Sequence, residues 1–401
     1  MMPARKLIFY ATLLFAVSCK ENTKDKITEF KDQEGQFEWQ FPNIDNEKAY
    51  HNYSYSTERW WGDFPKDLKM STDLFGEYPW AIGPIEKYGD NPILAPSPGA
   101  WDKGRFGGGV HNGSIAVKDG IFYYVYRGEQ PIDVVQKTPI DYICDIGVAT
   151  SKDGIHFEKD TVHSPFFRKG ADTAYSYEDV NIARHGDTYY LFCNQWYWPN
   201  TSDYKVNGTF LATSKDLVNW EKKGIVFPGA KRTHRNGVVL QNGNNEAVRV
   251  NGKFIMYLNE GLVAYSDDML HWTSKDMEGK FPGGEGCFAL ADHDPGRPDD
   301  IVLFTGGNHT GHFYAIGEVL FSKKNPEQPL AYLPQPVLAA DSTLPYEHGF
   351  TTEAPHKLIS SFADCIFFNG LTFHDNKWWF YYGGSEYYTC LANSPGKNDR
   401  P

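Results

Sequence analysis

With 401 residues, 41% of them hydrophobic and 22% charged, the chain has the length and composition of a folded globular protein with a sizeable core. A formal net charge of −12, with no basic stripe to offset it, excludes nucleic acid and anionic lipid surfaces as partners and leaves small neutral ligands open. Aromatic residues reach 16%, an excess suited to packing on pleated strands and to stacking on the apolar faces of sugar rings.

The start of the chain reads Met1-Met2-Pro3-Ala4-Arg5-Lys6, then an apolar run from Leu7 to Val17, then Ser18-Cys19. A short basic segment, an apolar stretch about half as long as a bilayer span, and a small residue before cysteine predict a lipoprotein signal over 1–19, with Cys19 lipidated after cleavage. The expected protein is exported, at the periplasmic side or cell surface of a Gram-negative bacterium, and meets the membrane only through that lipid. Residues 20–50 follow as a tether, because Lys20 to Gly35 is too polar to bury enough surface to fold alone. Beyond Cys19, the cysteines Cys144, Cys193, Cys287, Cys365 and Cys390 are odd in number, widely spaced and without a CxxC pair. They signal neither a disulfide framework nor a zinc site.

Internal similarity organises the rest of the chain. The segment Ala149-Thr150-Ser151-Lys152-Asp153-Gly154-Ile155-His156-Phe157-Glu158-Lys159 returns as Ala212-Thr213-Ser214-Lys215-Asp216-Leu217-Val218-Asn219-Trp220-Glu221-Lys222, and more loosely from Ala264 to Trp272. Each copy is an apolar strand, a Ser-x-Asp turn and an aromatic residue. Hairpins recur between the copies, at Lys118-Asp119-Gly120, His185-Gly186-Asp187, Asn251-Gly252 and His374-Asp375-Asn376. Repeats of this length, each carrying hairpins and none a long amphipathic helix, predict an all-β chain. The expected architecture is a five-bladed β-propeller spanning 51–401 as one domain.

Several segments, in their shared order, resemble glycoside hydrolase family 130, the five-bladed propellers that act as β-mannoside phosphorylases and, in a smaller group, β-mannosidases. They include Asn91-Pro92-Ile93-Leu94, Val110-His111-Asn112-Gly113-Ser114, Tyr126-Arg127-Gly128-Glu129, Tyr177-Glu178-Asp179, Tyr346-Glu347-His348-Gly349 and Tyr381-Tyr382-Gly383-Gly384-Ser385-Glu386. The resemblance implies that Asp179 protonates the leaving oxygen through a sugar hydroxyl, with Glu178 its structural neighbour. It also implies that Asn112 and Arg127 hold the sugar and that Glu386 contacts its hydroxyls. Inverting cleavage needs such a proton donor on one side of the bond and a base or attacking anion opposite.

The chain departs from the phosphorylases where they carry cations. They read Glu-Asp-Pro-Arg where this chain has Glu178-Asp179-Val180-Asn181, and they place an Arg and a Lys where it has Asn259-Glu260 and Gly284-Glu285-Gly286. Carboxylates there would repel phosphate and suit activation of water. The expected activity is therefore an inverting β-mannosidase-like hydrolase on an oligosaccharide, with Asp179 as acid. Glu285 and Glu246 are the leading bases, and Glu260 is the third candidate.

Three other activities stay open at this stage. One is a phosphorylase using Lys231, Arg232 or Arg235, although that basic run reads more simply as a solvated loop. Another is a surface glycan-binding lipoprotein with Trp60, Trp61, Trp196 and Trp198 as platforms. The last is a related five-bladed glycosidase of the arabinanase or neoagaro-oligosaccharide type, with a three-acid set on other blades, for which Asn245-Glu246-Ala247 is the best support. His111, His309, His312 and His348 lack the spacing of a zinc site and read as sugar-binding or packing residues. No cofactor is expected, and the sequence is silent on oligomeric state.

Overall fold

The computed structural model describes residues 27–31, 38–42, 73–97, 101–102, 109–131, 142–167, 175–197, 205–230, 234–277, 285–309, 312–333, 335–349 and 365–396. The chain divides into two compact units, Met1–Ser54 and Tyr55–Pro401. In the first, Ile27–Lys31 pairs antiparallel with Glu38–Pro42. This hairpin falls inside the stretch expected to be a structureless tether. Its second strand alternates polar and aromatic residues (Glu38, Trp39, Gln40, Phe41), a period suited to β pairing, and its first carries the β-branched Ile27 and Thr28. Cys19 lies outside the described residues.

The second unit is all-β. Its strands form three four-stranded antiparallel sheets and one nine-stranded sheet, which divides at a parallel pairing into two antiparallel parts, the third and fourth sheets in chain order. The first comprises Val110–Lys118, Ile121–Pro131, Tyr142–Ser151 and Glu158–Lys159. The second comprises Tyr175–His185, Thr188–Tyr197, Lys205–Ser214 and Glu221–Ile225. The third is built on Val238–Gln241, Lys253–Leu258, Leu262–Ser266 and Thr273–Asp276, and the fourth on Glu285–Ala291, Asp300–His309, His312–Ser322 and Ala331–Tyr332. These two are joined by a short parallel pairing, Leu240↔Ala289 and Gln241↔Leu290. The fifth takes Ile366–His374, Lys377–Gly384 and Tyr388–Pro395 from late in the chain, and its fourth strand, Glu86–Lys87, from early in it.

The leading strands of these sheets touch one another in a closed cycle: first to second, third, fourth, fifth, and back to the first. The apolar clusters follow the same cycle. Val125, Val148, Ile182 and Leu191 fill the space between the first two sheets, and Phe192, Leu211, Phe254 and Met256 that between the second and third. Leu240, Ile255, Leu303 and Phe321 lie between the third and fourth, Phe288, Phe304, Phe368 and Phe380 between the fourth and fifth, and Tyr124, Tyr126, Tyr381 and Leu391 between the fifth and first. Each sheet is thus apolar on both faces, and its large rings sit where the neighbouring sheet buries them.

The repeated Ser-x-Asp turns close the third strands. In each, the serine hydroxyl donates to the aspartate Oδ1 (Ser151 to Asp153, 2.8 Å; Ser214 to Asp216, 3.0 Å; Ser266 to Asp268, 3.1 Å). The same oxygen accepts backbone N–H groups two and three residues on, so the carboxylate replaces a backbone turn. A fourth copy at Ser322-Lys323-Lys324 keeps the serine contact to the Lys324 N–H at 3.2 Å but has no aspartate, which hid it in the sequence.

Partial burial works to raise the Asp216 carboxyl. Hydrogen bonds from the Asn219 side chain, the Asn219 and Val218 N–H groups and the Ser214 hydroxyl outweigh it and hold the pKa at about 2. A lowered folded-state pKa contributes stability above the unfolded value that is lost as pH falls through the folded one. Asp216→Ala should therefore cost about 1 kcal/mol in urea unfolding at pH 7, with the gap to wild type closing between about pH 4 and pH 2.

Candidate active site

The leading strands carry a bulge near their starts: between His111 and Ser114, Glu178 and Asn181, Gly286 and Phe288, and Phe368 and Gly370. In the first two, the residue at the kink has left-handed backbone, Asn112 at φ 48° and Asp179 at φ 55°. Asn236, two residues ahead of Val238–Gln241, has φ 48°. Asn and Asp enter this region more readily than most residues, and the kink turns a side chain out of the alternation of its strand. Gly113 permits the first kink, since a Cβ there would lie 2.5 Å from the Val125 carbonyl oxygen.

The three kinks converge on the Asp179 carboxylate. Asn112 Nδ2 donates to Oδ1 at 3.0 Å and Asn194 Nδ2 to Oδ2 at 3.1 Å. Asn194 also donates to Asn236 Oδ1, and its own Oδ1 accepts the Asn236 N–H at 2.8 Å, which locks the second sheet to the third beside the acid. Arg127 Nη1 donates to Asp179 Oδ1 at 3.4 Å, and Arg235 Nη2 lies 3.9 Å from Oδ2.

Arg127 is the first of two buried cations here, 3% exposed. Its Nη2 meets Glu129 Oε1 at 2.7 Å and lies 3.6 Å from Glu178 Oε1, while Nη1 reaches Glu386 Oε1 at 4.0 Å. Its Nε donates to Cys144 Sγ at 3.2 Å. His111 Nε2 approaches Glu129 at 3.2 Å. Arg235, also buried, lies with its guanidinium carbon 5.0 Å from the centre of the Trp196 ring, and Nη2 is 3.8 Å from Glu285 Oε1. Asn259 holds the Arg235 backbone at both ends, accepting its N–H on Oδ1 and donating its own N–H to the Arg235 carbonyl. One guanidinium nitrogen thus spans Asp179 and Glu285, which places the facing oxygens no more than about 8 Å apart. That upper bound admits both the ~6.5–9.5 Å separation with room for a water between acid and base and the shorter ~5–5.5 Å one of a direct nucleophile.

Burial pushes the Glu178 carboxyl above its ordinary range against the pull of Arg127, and the Asp179 charge adds to the rise.

The structure brings Asp179, Glu178, Asn112, Arg127, Glu285 and Glu386 together as the sequence suggested, and departs from it elsewhere. Glu246 is not among them. It lies half-exposed at the seam of the second and third sheets, with Oε2 3.0 Å from Arg184 and Oε1 3.7 Å from His185, so its charge is spent on a surface pair. Arg235 belongs to no solvated loop but is buried beside the acid; Lys231 and Arg232 lie outside the described residues. The backbone of Glu260 belongs to a short 3-10 turn, Asn259–Gly261, and His309 ends a strand of the fourth sheet; the side chains of both lie outside the described residues. So do Trp60, Trp61 and Trp198. Sequence reasoning gave no role to Cys144, Asn194 and Asn236. Glu129 carried a signal, standing two residues from Arg127 on the same face of one strand. Asn194 and Asn236 carried none, because Asn194 reaches the acid from the neighbouring strand of its own sheet and Asn236 joins it only through Asn194.

No protein-family model matches the chain. Compared with known proteins, it is 24% identical over 318 residues to the 1,2-beta-oligomannan phosphorylase of Thermoanaerobacter sp. (strain X514), covering 75% of this chain and 94% of the relative. It is 23% identical over 281 residues to the beta-1,2-mannobiose phosphorylase of the same strain, covering 63% and 82%. Among solved structures, it superposes with a TM-score of 0.62 at 23% identity, over 78% of this chain and 94% of the other, on one from a study of GH130 mannoside phosphorylases that contain glycoside hydrolases targeting beta-1,2 mannosidic linkages in Candida mannan.

Arg127 offsets the charge of several carboxylates at once, so its loss should be felt throughout the cluster. Arg127→Met should lower the unfolding free energy at pH 7 by about 3 kcal/mol, whereas Glu246→Gln at the surface pair should cost under ~1 kcal/mol. Without the guanidinium, the pull that opposes burial at Glu178 is lost and its carboxyl rises further in the folded state. A raised folded-state pKa contributes stability at low pH that is lost as pH rises, so the Arg127→Met deficit should be smaller at pH 5 than at pH 7.

Proposed function

We propose that this chain, a member of glycoside hydrolase family 130, is a five-bladed β-propeller that cleaves β-mannosidic bonds of an oligosaccharide, with inversion, at the Asp179 cluster. The observation that carries this is the pairing of Asp179 and Glu285, both nearly enclosed, across the single guanidinium of Arg235. A glycosidic oxygen leaves only if it gains a proton, and Asp179 is the acid held in place by side chains from neighbouring sheets. The acceptor must then approach from the opposite side of the sugar, and we assign that side to Glu285.

Two lines of support diverge on the acceptor. Both curated relatives are phosphorylases by name, which backs phosphate, with Arg235 as the cation to hold it. The side chains back water. Around Arg127 and Arg235 stand Glu129, Glu178, Asp179, Glu285 and Glu386, so among the described residues carboxylates outnumber the guanidinium groups. Bringing one further unit of negative charge within ~4 Å of a carboxylate costs about 4 kcal/mol at an effective dielectric of ~20 before the attraction of the nearby guanidinium is set against it, and phosphate carries more than one such charge. We take water, deprotonated by Glu285, as the acceptor; phosphorolysis through Arg235 is the alternative that the relatives favour. We further propose that the segment ending at Cys19 directs export, a reading that fits the same choice, since a sugar phosphate made outside the cell would be lost to it.

The test is product analysis on β-1,2-mannobiose and a panel of β-mannosides, with and without inorganic phosphate. Free mannose released at a phosphate-independent rate, with kcat lowered roughly 10³-fold in both Asp179→Asn and Glu285→Gln, is the expected result. Mannose 1-phosphate, with Glu285→Gln retaining most of the activity, would establish the phosphorylase. No turnover across the panel would remove the enzyme reading.

A further inference from the structure

Cys144, fully buried on the third strand of the first sheet, stands between two groups of the site. Its Sγ accepts from Arg127 Nε at 3.2 Å and donates its S–H toward Glu178 Oε1 at 3.7 Å. Its backbone N–H is fixed in turn by Ser176 Oγ, at 2.9 Å, on the leading strand of the second sheet. The sulfur thus links an arginine of one sheet to a glutamate of the next.

We infer that Cys144 is a positioning residue: it sets the rotation of the Arg127 guanidinium about Nε and thereby aims Nη1 at Asp179 and Nη2 at Glu129. This rests on the reading of the cluster as a site of β-mannoside cleavage. A guanidinium is planar and presents its N–H groups in a rigid fork, so fixing the Nε–H direction fixes the directions of both Nη groups. The need for an anchor is plain from the surroundings. Glu178 at 3.6 Å and Glu386 at 4.0 Å compete with Glu129 and Asp179 for the same two nitrogens, and charge alone does not choose among four carboxylates. A neutral acceptor at Nε makes the choice by geometry.

A thiol fits this position for three reasons. Sulfur is a weak acceptor that tolerates long contacts. It adds no charge to an already acidic cluster. Burial pushes the Cys144 thiol well above its ordinary pKa against the pull of Arg127, so the sulfur keeps its proton and its donor contact to Glu178. The group therefore orients its neighbours and takes no chemical step.

Two measurements on the full chain test this. In steady-state turnover of the β-mannoside, Cys144→Ala should lower kcat roughly tenfold with KM changed less than about twofold, while Cys144→Ser, which can still accept and donate, should recover most of the loss. A role in packing alone would instead lower the melting temperature and leave kcat in place, or leave the serine variant no better than the alanine; either overturns the inference. The second measurement needs no turnover. In the arginine-labelled protein, the Arg127 Nε–H signal, identified by its disappearance in Arg127→Lys, should exchange slowly with water in wild type and Cys144→Ser. In Cys144→Ala it should exchange at least about tenfold faster. Equal exchange in wild type and Cys144→Ala overturns the positioning role. Absence of turnover with the expected exchange pattern overturns the cleavage reading and leaves the orientation of Arg127 by Cys144 standing.

Discussion

Removing carboxylates from water is the constraint to which the rest of this structure answers. An isolated buried carboxylate loses several kcal/mol of hydration, and only a close counter-charge with good hydrogen bonds offsets that. Glu129, Glu178, Asp179 and Glu285 are each buried, and two guanidinium groups hold them. Most of those contacts join residues from separate sheets, so the sheets must bring these side chains to one end of the strands that carry them. The left-handed kinks at Asn112 and Asp179 do this, and the apolar clusters between sheets keep the ends from drifting apart. The core is in this sense the support of an ionic site that would otherwise repel itself.

What could be read in the sequence followed local chemistry. Strand alternation, Asn-Gly and Asp-Gly turns and the Ser-x-Asp repeat act over a few residues, and they gave the all-β class and the spacing of the sheets. Asp179, Arg127 and Asn112 stood out because the order of their segments resembled a family whose site is known. Glu246 illustrates the limit. Its acidic side chain after a polar turn looked like a catalytic base, but position along the chain says nothing about which side of a seam a side chain meets, and Arg184 of the adjacent sheet takes it. Arg235 erred the other way: a run of basic residues suggests solvent, while its last member is drawn inward by Asn259 and Trp196, both distant in sequence. Contacts between sheets have no local signature, and they decided both cases.

Fold and chemistry are separable here. On the proposed reading, the same frame of sheets serves phosphate or water as the acceptor, according to whether a few positions near Arg235 carry amines or carboxylates. A guanidinium between two acids can bind an anion when the acids are protonated or removed, and can hold the acids apart for a water when they are not. The site is tuned by charge balance, without a change of backbone.

The fifth sheet takes its outer strand from Glu86–Lys87, and the neighbouring Asn91 side chain accepts from and donates to the backbone of Leu391, 300 residues away. Lys87 adds a 2.6 Å ion pair to the buried Glu347. Loop-closure entropy makes contacts of such separation slow to form. During synthesis the first four sheets can assemble in order as they emerge, but the ring stays open until the last strands meet the early segment. Until then the edge of Tyr388–Pro395 and the apolar flank of the first sheet lack their partners, so the interval before closure is when this chain is most exposed to misassociation with other copies.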